Sequence, residues 1–163
     1  MGRAAGPLRP AAAGIPAADL LDLRNAQPGD ADDVAWLLTH LGYPCTPGDA
    51  GDRVHALSAD ASQVLVLARQ EGRACGLLGL HFLYYLPLGA PICRITTLVV
   101  APDAQRRGIG RQLLHHATAR ARHAGCARLE LTTALHRSEA HAFYRACGFA
   151  ETSLRFSKAL GEA

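Results

Sequence analysis

The sequence lacks any apolar run of membrane-spanning length. The longest candidate, around Leu77–Leu88, is interrupted by Gly79, His81 and Pro87. A strong charge imbalance is also missing, because the net charge of +3 is small and dispersed; this argues against a nucleic-acid binder and mildly favours an anionic ligand. Lysine is nearly absent as well, with Lys158 the only one, so arginine carries the basic charge. We predict a cytoplasmic protein that contacts neither membrane nor nucleic acid.

A Cys-x-x-Cys pair is absent too. The number of cysteines is odd and they lie far apart, which excludes a disulfide framework and a zinc pattern: Cys45, Cys75, Cys93, Cys126 and Cys147. We therefore expect small buried thiols in a reducing compartment. The pairs His115–His116 and His136–His141 lack metal-ligand spacing with acids or thiols, so no metal site is predicted.

Composition and the first residues define the predicted domain. Of 163 residues, 49% are hydrophobic and 19% are charged, which is typical of a globular chain large enough to bury a core. Residues 1–19 are rich in Ala, Pro and Gly without a continuous apolar segment, which argues against a secretory signal. Gly6 stands where an N-myristoylation motif needs Ser or Thr. We predict a flexible leader over residues 1–19, with an arginine-bearing transit peptide as the alternative, and a single domain over residues 20–163.

Strand-like and helix-like segments follow one another along this domain. A strand in "LLDLRNA" precedes two helices, one in "QPGDADDVAWLLTHLGYP" and a weaker one around Val54–Leu57. Two β-rich runs flank a turn at Glu71–Gly72, and the next strand is "ICRITTLVV". A helix then runs from Ile109 to a C-cap at Gly125. The remaining segments are a strand "ARLELTT", a short helix "SEAHAFYRACGF" and a last strand "AETSLRFSKAL".

This order predicts an α/β (α+β) fold with a mixed, mostly antiparallel central sheet and flanking helices. Several consecutive strands come before a single β-α-β crossover, which leads from the fourth strand through the third helix to the fifth strand. A doubly wound Rossmann sheet would alternate strands and helices throughout, and this chain does not.

The stretch "VVAPDAQRRGIGRQLL", residues 99–114, places paired arginines and paired glycines between a strand and a helix. The first turn of a helix exposes unpaired backbone N–H groups and the positive end of the helix dipole. Gly108 and Gly110 let a ligand approach this backbone, while Arg106, Arg107 and Arg111 add positive charge. We infer a phosphate-binding turn; the alternative is a plain strand-to-helix turn with solvated arginines.

Two common phosphate-binding motifs do not fit this stretch. A Walker loop needs Gly-Lys-Ser/Thr, which the sequence lacks. A dinucleotide fingerprint needs a third glycine where Leu113 stands, although Glu130 lies at about the right distance to imitate its ribose-binding acid. The predicted strand order also disagrees with a dinucleotide fold, so dinucleotide binding is the runner-up.

These residues resemble the GNAT family of N-acetyltransferases. The segment "QRRGIG", residues 105–110, is similar to the family's acyl-CoA loop, Q/R-x-x-G-x-G/A, and "LVVAPDAQRRGIGRQLL" is similar to its strand 4, loop and helix 3. The segment "LELTTALHRSEAHAFYRACGF" resembles strand 5 and helix 4, with the Tyr-x-x-x-Gly-Phe ending at Tyr144, Gly148 and Phe149. "LRNAQPGDADDVAWLLTHLGYP" resembles the opening strand and helix, so the resemblance covers roughly residues 21–158.

The resemblance implies an acetyl-CoA-dependent N-acetyltransferase with a GNAT-like fold, in which the pantetheine arm lies between splayed strands 4 and 5. A backbone N–H near Val99 would polarise the thioester carbonyl. Tyr144 would be the catalytic residue that protonates or hydrogen-bonds the departing thiolate after direct attack by an amine. The implied cofactor-binding residues are Leu98, Val99, Val100, Gln105, Arg106, Arg107, Gly108, Ile109, Gly110 and Arg111.

Two positions depart from the family pattern. Many members carry asparagine seven residues before the tyrosine, where this chain has Arg137, an arginine that can meet the pantetheine or a phosphate and joins the cofactor-binding set. Many also carry a carboxylate on strand 4 as a water-mediated general base, where Thr96 and Thr97 stand here. No base is assigned; the candidates by location, each with an ordinary surface role as its alternative, are Glu130, His136 and His141.

The leading hypothesis is therefore an acyltransferase that takes acetyl-CoA as co-substrate and a primary amine as acceptor. A domain that binds acyl-CoA without turnover is the alternative, because the strand 4 carboxylate is missing, and a dinucleotide-binding enzyme comes after it. The resemblance also allows a homodimer. Phe82, Tyr84 and Tyr85 either wall an acceptor pocket or belong to the core.

Overall fold

The structure is a computed structural model that describes residues 21–161, so the predicted leader over residues 1–19 lies outside the described range. The strands are β1 (Asp22–Asn25), β2 (Gln63–Gln70), β3 (Arg73–Tyr85), β4 (Ala90–Val100) and β5 (Leu129–Leu131). The helices are α1 (Ala31–Leu41), α2 (Pro47–Ser58), α3 (Ile109–His123) and α4 (Ser138–Ala146).

The strands form one sheet in the order β1-β2-β3-β4-β5. The first four are antiparallel to their neighbours, whereas β5 is parallel to β4. Glu71 and Gly72, between β2 and β3, both have positive φ, as a tight two-residue hairpin turn requires. Parallel neighbours need a longer crossover, which α3 supplies. The predicted mixed, mostly antiparallel sheet with a β4-α3-β5 crossover is confirmed.

Helices cover both faces of the sheet. Six consecutive residues of the central strand β3, Cys75–Leu80, are buried, which requires packing on both sides. Leu113 of α3 covers one face at Gly76, where a Cβ would lie 3.0 Å from Leu113 Cδ1. α1 and α2 pack against each other and against β2, β3 and β4. The apolar face of α3 is buried in this core: Ile109, Leu113, Leu114, Ala117 and Ala121.

α2 is longer than its apolar spacing predicts. It begins at Pro47, after Thr46, whose hydroxyl accepts a hydrogen bond from the Asp49 N–H at 3.1 Å. The Thr46 N–H in turn donates to the Asp49 carboxylate at 3.2 Å. This reciprocal cap, with proline at the first helical position, is a helix-start signal that precedes the apolar residues. α1 ends at Leu41, and its C-cap Gly42 lies in the left-handed region.

The cysteines are less uniformly buried than expected. All of them are free thiols, and Cys75 and Cys93 lie in the core, but Cys45, Cys126 and Cys147 are only half-buried. Burial raises the pKa of the Cys93 thiol to about 11 and also raises the pKa of Cys75. The two core thiols are therefore protonated and behave as small apolar side chains.

The predicted last strand, "AETSLRFSKAL", does not form. Residues 150–161 are exposed and pair with no strand of the described chain. Their contact with the sheet region includes a hydrogen bond from Arg155 Nη1 to Thr132 Oγ1, at 2.8 Å. β5 is also shorter than the predicted "ARLELTT". A strand pattern forms a strand only where an edge accepts its hydrogen bonds, and β5 offers too short an edge.

Asp30 fastens the start of α1 to the sheet and is buried, at 7% exposed. Its carboxylate accepts hydrogen bonds from Arg24 at 2.7 and 2.8 Å, from Arg69 at 3.3 Å and from the Gln27 N–H at 2.7 Å. Arg69 also pairs with Asp33 at 2.8 Å. The hydrogen bonds from Arg24 lower the pKa of Asp30 to about 2; burial opposes this shift, and the Gln27 N–H adds to it.

The pKa of Asp30 predicts a loss of stability in acid. Its folded-state pKa of about 2 lies below the ordinary value of 3.8, so the paired carboxylate stabilises the fold above about pH 4. That contribution is lost as the pH falls from about 4 to about 2. We expect Asp30→Asn to lower the free energy of unfolding by roughly 2 kcal/mol at neutral pH and by much less in strong acid.

Urea denaturation across this pH range measures the effect. Asp32→Asn is the matched control, since Asp32 is exposed in the same first turn of α1 and should change stability by only a few tenths of a kcal/mol. A loss for Asp30→Asn that does not depend on pH would contradict the assignment to its charge.

Candidate functional site

β4 and β5 separate within the sheet. Their ladder ends at the pair Ile95–Leu131, while β4 continues to Val100. On its β5 side, the rest of β4 therefore has no strand partner among residues 21–161. On that side, alternate backbone N–H and C=O groups of this stretch have no ladder partner. We call the space between this part of β4 and the chain that follows β5 the gap. The cofactor-binding residues predicted for this strand all lie there: Leu98, Val99 and Val100.

A β-bulge marks the point where the strands separate. Gly79 of β3 pairs with Thr97 and Leu80 pairs with Ile95, so Thr96 is an extra residue in β4. Gly79 is required here, because a Cβ would lie 2.6 Å from Thr96 Oγ1 and 3.0 Å from Thr97 Oγ1. The two hydroxyls occupy the space that a side chain at Gly79 would fill, at the mouth of the gap.

The chain passes from β4 to α3 through two residues with positive φ. Arg106 has a φ of 64° and Gly108, the residue before α3, has a φ of 78°. Gly108 brings no side chain to cap the helix, so the N–H groups of its first turn stay available. The Gln105 side-chain amide donates to the Val100 carbonyl oxygen at 3.3 Å and holds the loop against the strand. The loop therefore presents backbone donors to a ligand.

Three arginines surround this helix start. Arg106, Arg107 and Arg111 are exposed, and within the described part of the chain no carboxylate forms an ion pair with them. The first turn of α3 contains no acidic residue. Asp103, the acid of the preceding loop, pairs with Arg73 at 3.7 Å. The helix dipole and these cations add up at one place, which suits a polyanion such as a pyrophosphate.

Gly110 lets α4 rest on the first turn of α3. A Cβ at this position would lie 3.2 Å from Phe143 Cζ and 3.6 Å from Val100 Cγ2. The second glycine of the loop thus allows α4 and the end of β4 to pack closely against the first turn of α3. Ile109 beside it is only 2% exposed. Its side chain anchors the helix, so only its backbone can contact a ligand.

Tyr144 follows Phe143 on α4 and is half-buried. The centroid of its ring lies 5.5 Å from that of Phe143 and 6.0 Å from that of Phe149. Burial raises the pKa of the Tyr144 phenol; Arg137 opposes this shift and Cys147 adds to it. The phenol is therefore protonated at neutral pH and can donate a hydrogen bond or a proton. Arg137, at the start of α4, lies near enough to act on this phenol.

The base candidates named by location have structural partners. Glu130 Oε1 accepts from Arg94 Nε at 2.8 Å, and Oε2 accepts from Arg128 Nε at 3.1 Å. His141 Nε2 lies 2.9 Å from the Ala134 carbonyl oxygen. His136 is exposed on the loop after β5. Their contacts explain Glu130 and His141 without catalysis, and none of the three is assigned as a base.

Other possible sites lie elsewhere or are absent from the described part. Residues 21–161 contain no group of three or more His, Cys, Asp or Glu placed to hold a metal ion. In the same range, no helix combines the length and the apolar character needed to cross a membrane. An open cavity of about 310 Å³ beside the β2–β3 turn contains none of the predicted site residues; it is lined by Asp33, Trp36, Gly72, Arg73, Ala74 and Asp103.

Sequence reasoning missed two contacts that shape the site. The first is the approach of Thr96 to Gly79, for which a glycine inside the β-rich run "GLLGLHF" is a signal, since such a glycine marks a bulge or a close contact. The second is the packing of Phe143 on Gly110. The two residues lie far apart in the chain, so no local pattern indicates this contact.

Comparisons with known proteins agree with this geometry. The profile of the Acetyltransferase (GNAT) family matches residues 24–149. The chain is 35% identical, over 140 residues, to the aminoalkylphosphonate N-acetyltransferase of Salmonella typhimurium, which covers 85% of this chain and 91% of that protein. It is 34% identical, over 138 residues, to the aminoglycoside N(6')-acetyltransferase type 1 of Stenotrophomonas maltophilia, which covers 80% of this chain and 86% of that protein.

A solved structure shares the fold. The crystal structure of a GNAT family acetyltransferase from Staphylococcus aureus matches with a TM-score of 0.74 and 20% identity, over 86% of this chain and 98% of that chain. At this identity the likeness concerns the fold alone. The family match and the two relatives support membership of the family as well as the fold, because they span most of the chain. The chain therefore belongs to the GNAT family of acetyltransferases and is an acyltransferase, with acetyl-CoA as the co-substrate that the family implies.

Proposed function

We propose that this enzyme transfers the acetyl group of acetyl-CoA to a primary amine of a small molecule by direct attack, with Tyr144 donating to the departing CoA thiolate. The observation that carries the proposal is the early end of the β4–β5 ladder at Ile95–Leu131. The gap that it leaves runs along β4 from the bulge at Thr96 to the helix start at Gly108. A long ligand with amides in its middle and phosphates at one end suits such a path.

The chemistry of acetyl-CoA matches this path from end to end. Its pantetheine arm carries amide groups, and the open edge of residues 98–100 offers backbone donors and acceptors to them. Its pyrophosphate is a polyanion and suits the N–H groups and arginines of residues 106–111. The Val100 carbonyl oxygen already accepts from Gln105, but it has two lone pairs and can accept a second hydrogen bond.

The transfer makes one bond and breaks another. The amine nitrogen bonds to the acetyl carbon, negative charge builds on the thioester oxygen, and the C–S bond then breaks to release the CoA thiolate. A backbone N–H near Val99 would stabilise the oxygen. The Tyr144 phenol would donate to the thiolate sulfur. Because a phenol (pKa about 10) is a weaker acid than a thiol (about 8.5), a hydrogen bond is favoured over full proton transfer. The raised pKa of Tyr144 strengthens that preference.

The attacking nitrogen must also lose a proton, and the two residues at the bulge carry hydroxyls instead of a carboxylate. Thr96 and Thr97 stand there, and a hydroxyl is not a base at neutral pH. We propose that the amine arrives in its neutral form and that the proton of the product leaves to water. The acceptor's own pKa then sets the fraction that can react.

A small-molecule acceptor is the class that the relatives support. One relative is named for aminoalkylphosphonates and the other for aminoglycosides, which are small molecules with opposite charges. A useful acceptor screen therefore spans both, with 2-aminoethylphosphonate, an aminoglycoside and a peptide with a free N-terminus as the macromolecular comparison. Release of CoA thiol, with mass spectrometry of the acetylated product, should identify a small amine as the acceptor.

Thermal denaturation with acetyl-CoA and with NAD, run beside the acceptor screen, tests the competing functions. If acetyl-CoA raises the melting temperature but no amine is acetylated, the chain is a non-catalytic acyl-CoA-binding module, which the missing strand 4 carboxylate favours. If NAD raises the melting temperature and acetyl-CoA does not, the gap and loop hold a dinucleotide.

Tyr144→Phe should slow turnover much more than it weakens binding. The variant keeps the ring that packs on Phe143 and Phe149 and removes only the hydroxyl. We expect kcat to fall about 10²-fold, while KM for acetyl-CoA and the melting temperature stay close to those of the parent enzyme. Steady-state kinetics and thermal denaturation measure these quantities, and full activity of the variant would remove Tyr144 from the mechanism.

The pH dependence should follow the acceptor rather than the enzyme. Without a carboxylate base, kcat/KM should rise as the amine loses its proton and level off above the pKa of that amine. Two acceptor amines whose pKa values are well separated should therefore give profiles of kcat/KM against pH that are displaced from each other. A common rise at one pH for both amines would contradict the prediction and would indicate a base on the enzyme.

A further inference from the structure

Three arginines lie together where the β4–β5 ladder ends. Arg94 is the register partner of Glu130, so their side chains leave the sheet on the same face. Arg128 stands two residues before Glu130 and shares that face, because side chains alternate along an extended chain. Arg155 donates to the hydroxyl of Thr132, two residues after Glu130, at 2.8 Å. We call Arg94, Arg128 and Arg155 the arginine cluster.

Glu130 neutralises only part of the charge of this cluster. Its Oε1 atom contacts Arg94 Nε at 2.8 Å and Arg94 Nη2 at 2.6 Å, while its Oε2 atom accepts from Arg128 Nε at 3.1 Å. Among residues 21–161, no other carboxylate forms an ion pair with the cluster. Three guanidinium cations and one carboxylate leave a net charge of +2.

Arg128 keeps hydrogen-bond donors free for a ligand. Only its Nε atom donates to Glu130, so the Nη1 and Nη2 groups have no protein acceptor within residues 21–161. The Arg128 Cζ atom lies 4.8 Å from the centroid of the Tyr85 ring, and stacking on a ring leaves the N–H groups at the edge of a guanidinium accessible. The side chain of Arg128 is 45% exposed and that of Arg94 is 43% exposed.

The arginine cluster lies on the face of the sheet opposite to α3. On β3, Gly76 faces α3, because a Cβ there would lie 3.0 Å from Leu113 Cδ1. His81 is an odd number of residues away and therefore faces the other side, and Arg94 is its register partner in β4. The helix start proposed to hold the pyrophosphate belongs to α3, so the cluster is separated from it by the sheet.

The bulge in β4 lies beside the cluster on this second face. Gly79 shares the face of His81, and a Cβ at Gly79 would lie 2.6 Å from Thr96 Oγ1. Thr96 is exposed and stands two residues after Arg94, a distance of about 7 Å along an extended strand. A thioester bound along the last residues of β4 would thus be approached by the amine from the face that carries the arginines.

We propose that the acceptor is a short primary amine that carries an oxyanion, such as a phosphonate or a carboxylate, and that the arginine cluster binds this oxyanion. The inference rests on the proposed function and assigns the class of its acceptor. Guanidinium groups bind oxyanions through paired, charge-assisted hydrogen bonds. A separation of about 7 Å between Arg94 and Thr96 suits a chain of two or three carbons between the oxyanion and the nitrogen. The net positive charge disfavours a polycationic acceptor.

A set of amines matched in length tests the charge preference. We expect 2-aminoethylphosphonate and β-alanine to exceed the neutral 3-amino-1-propanol at least about 10-fold in kcat/KM, since each binds through charged hydrogen bonds. The cationic 1,3-diaminopropane should be the slowest. Each value is divided by the fraction of neutral amine at the assay pH, which removes differences in amine pKa.

Arg128→Gln tests the assignment to the cluster. We expect kcat/KM for 2-aminoethylphosphonate to fall about 10-fold, mainly through KM, while kcat/KM for 3-amino-1-propanol and KM for acetyl-CoA stay close to the parent values. The ratio between the two acceptors does not depend on how much of a variant is folded. Arg122→Gln is the matched control, since Arg122 is exposed in the last turn of α3, and it should leave the ratio unchanged.

The outcomes separate this inference from the proposed function. Equal or faster acetylation of the neutral amine or the diamine overturns the oxyanion-bearing acceptor and leaves the acetyl transfer in place. An R128Q variant with the parent ratio, or an R122Q variant that lowers the ratio equally, overturns the role of the cluster. If none of the four amines is acetylated and the wider acceptor screen also yields no product, the inference and the proposed function fail together.

Discussion

The end of the β4–β5 ladder at Ile95–Leu131 is the constraint on which the site depends. A strand that paired along its full length would have every backbone group satisfied and would offer nothing to a ligand. Because β5 stops, alternate residues among the last five of β4 keep backbone donors and acceptors that a buried strand could not leave unpaired without a penalty. The bulge at Thr96 begins this stretch, and the bulge exists because Gly79 has no side chain. The opening is thus determined inside the sheet.

The opposite end of the gap is held by packing between helices. The first turn of α3 meets the end of β4 through Val100 and meets α4 through Phe143, both at Gly110. Tyr144, the next residue along α4, is therefore fixed relative to the same helix start that carries the arginines and the open N–H groups. The binding of a polyanion at that turn and a hydrogen bond from the Tyr144 phenol would both depend on the contact between Phe143 and Gly110. A side chain at Gly110 would disturb both.

Much of the fold was predictable because local sequence patterns, such as apolar spacing and turn residues, reflect what each element needs in the folded protein. Apolar spacing located α3, and the Glu71–Gly72 turn located the β2–β3 hairpin through the positive φ that it needs. The loop between β4 and α3 was recognisable because glycine and arginine mark it directly, although the roles of its residues are still predictions. The prediction of a last strand was wrong because alternating apolar residues indicate an extended conformation and do not indicate which strand edge would pair with it. The partial exposure of Cys147 and the ion pairs of Glu130 depend on neighbours distant in sequence, which one-dimensional patterns do not contain.

The ion cluster around Asp30 has a consequence for how the molecule opens. Arg24 and Arg69 stand at the two ends of the segment that contains α1 and α2, and both hold the same carboxylate. The ion cluster therefore ties the two ends of this segment together, beside the β1–β2 ladder that also joins them, and Arg69 holds α1 a second time through Asp33. Both helices also bury residues in the core that they share with the sheet, among them Leu37 of α1 and Val54 of α2. Loss of the Asp30 charge would therefore release both ends of this segment together, while its middle stays held by the core.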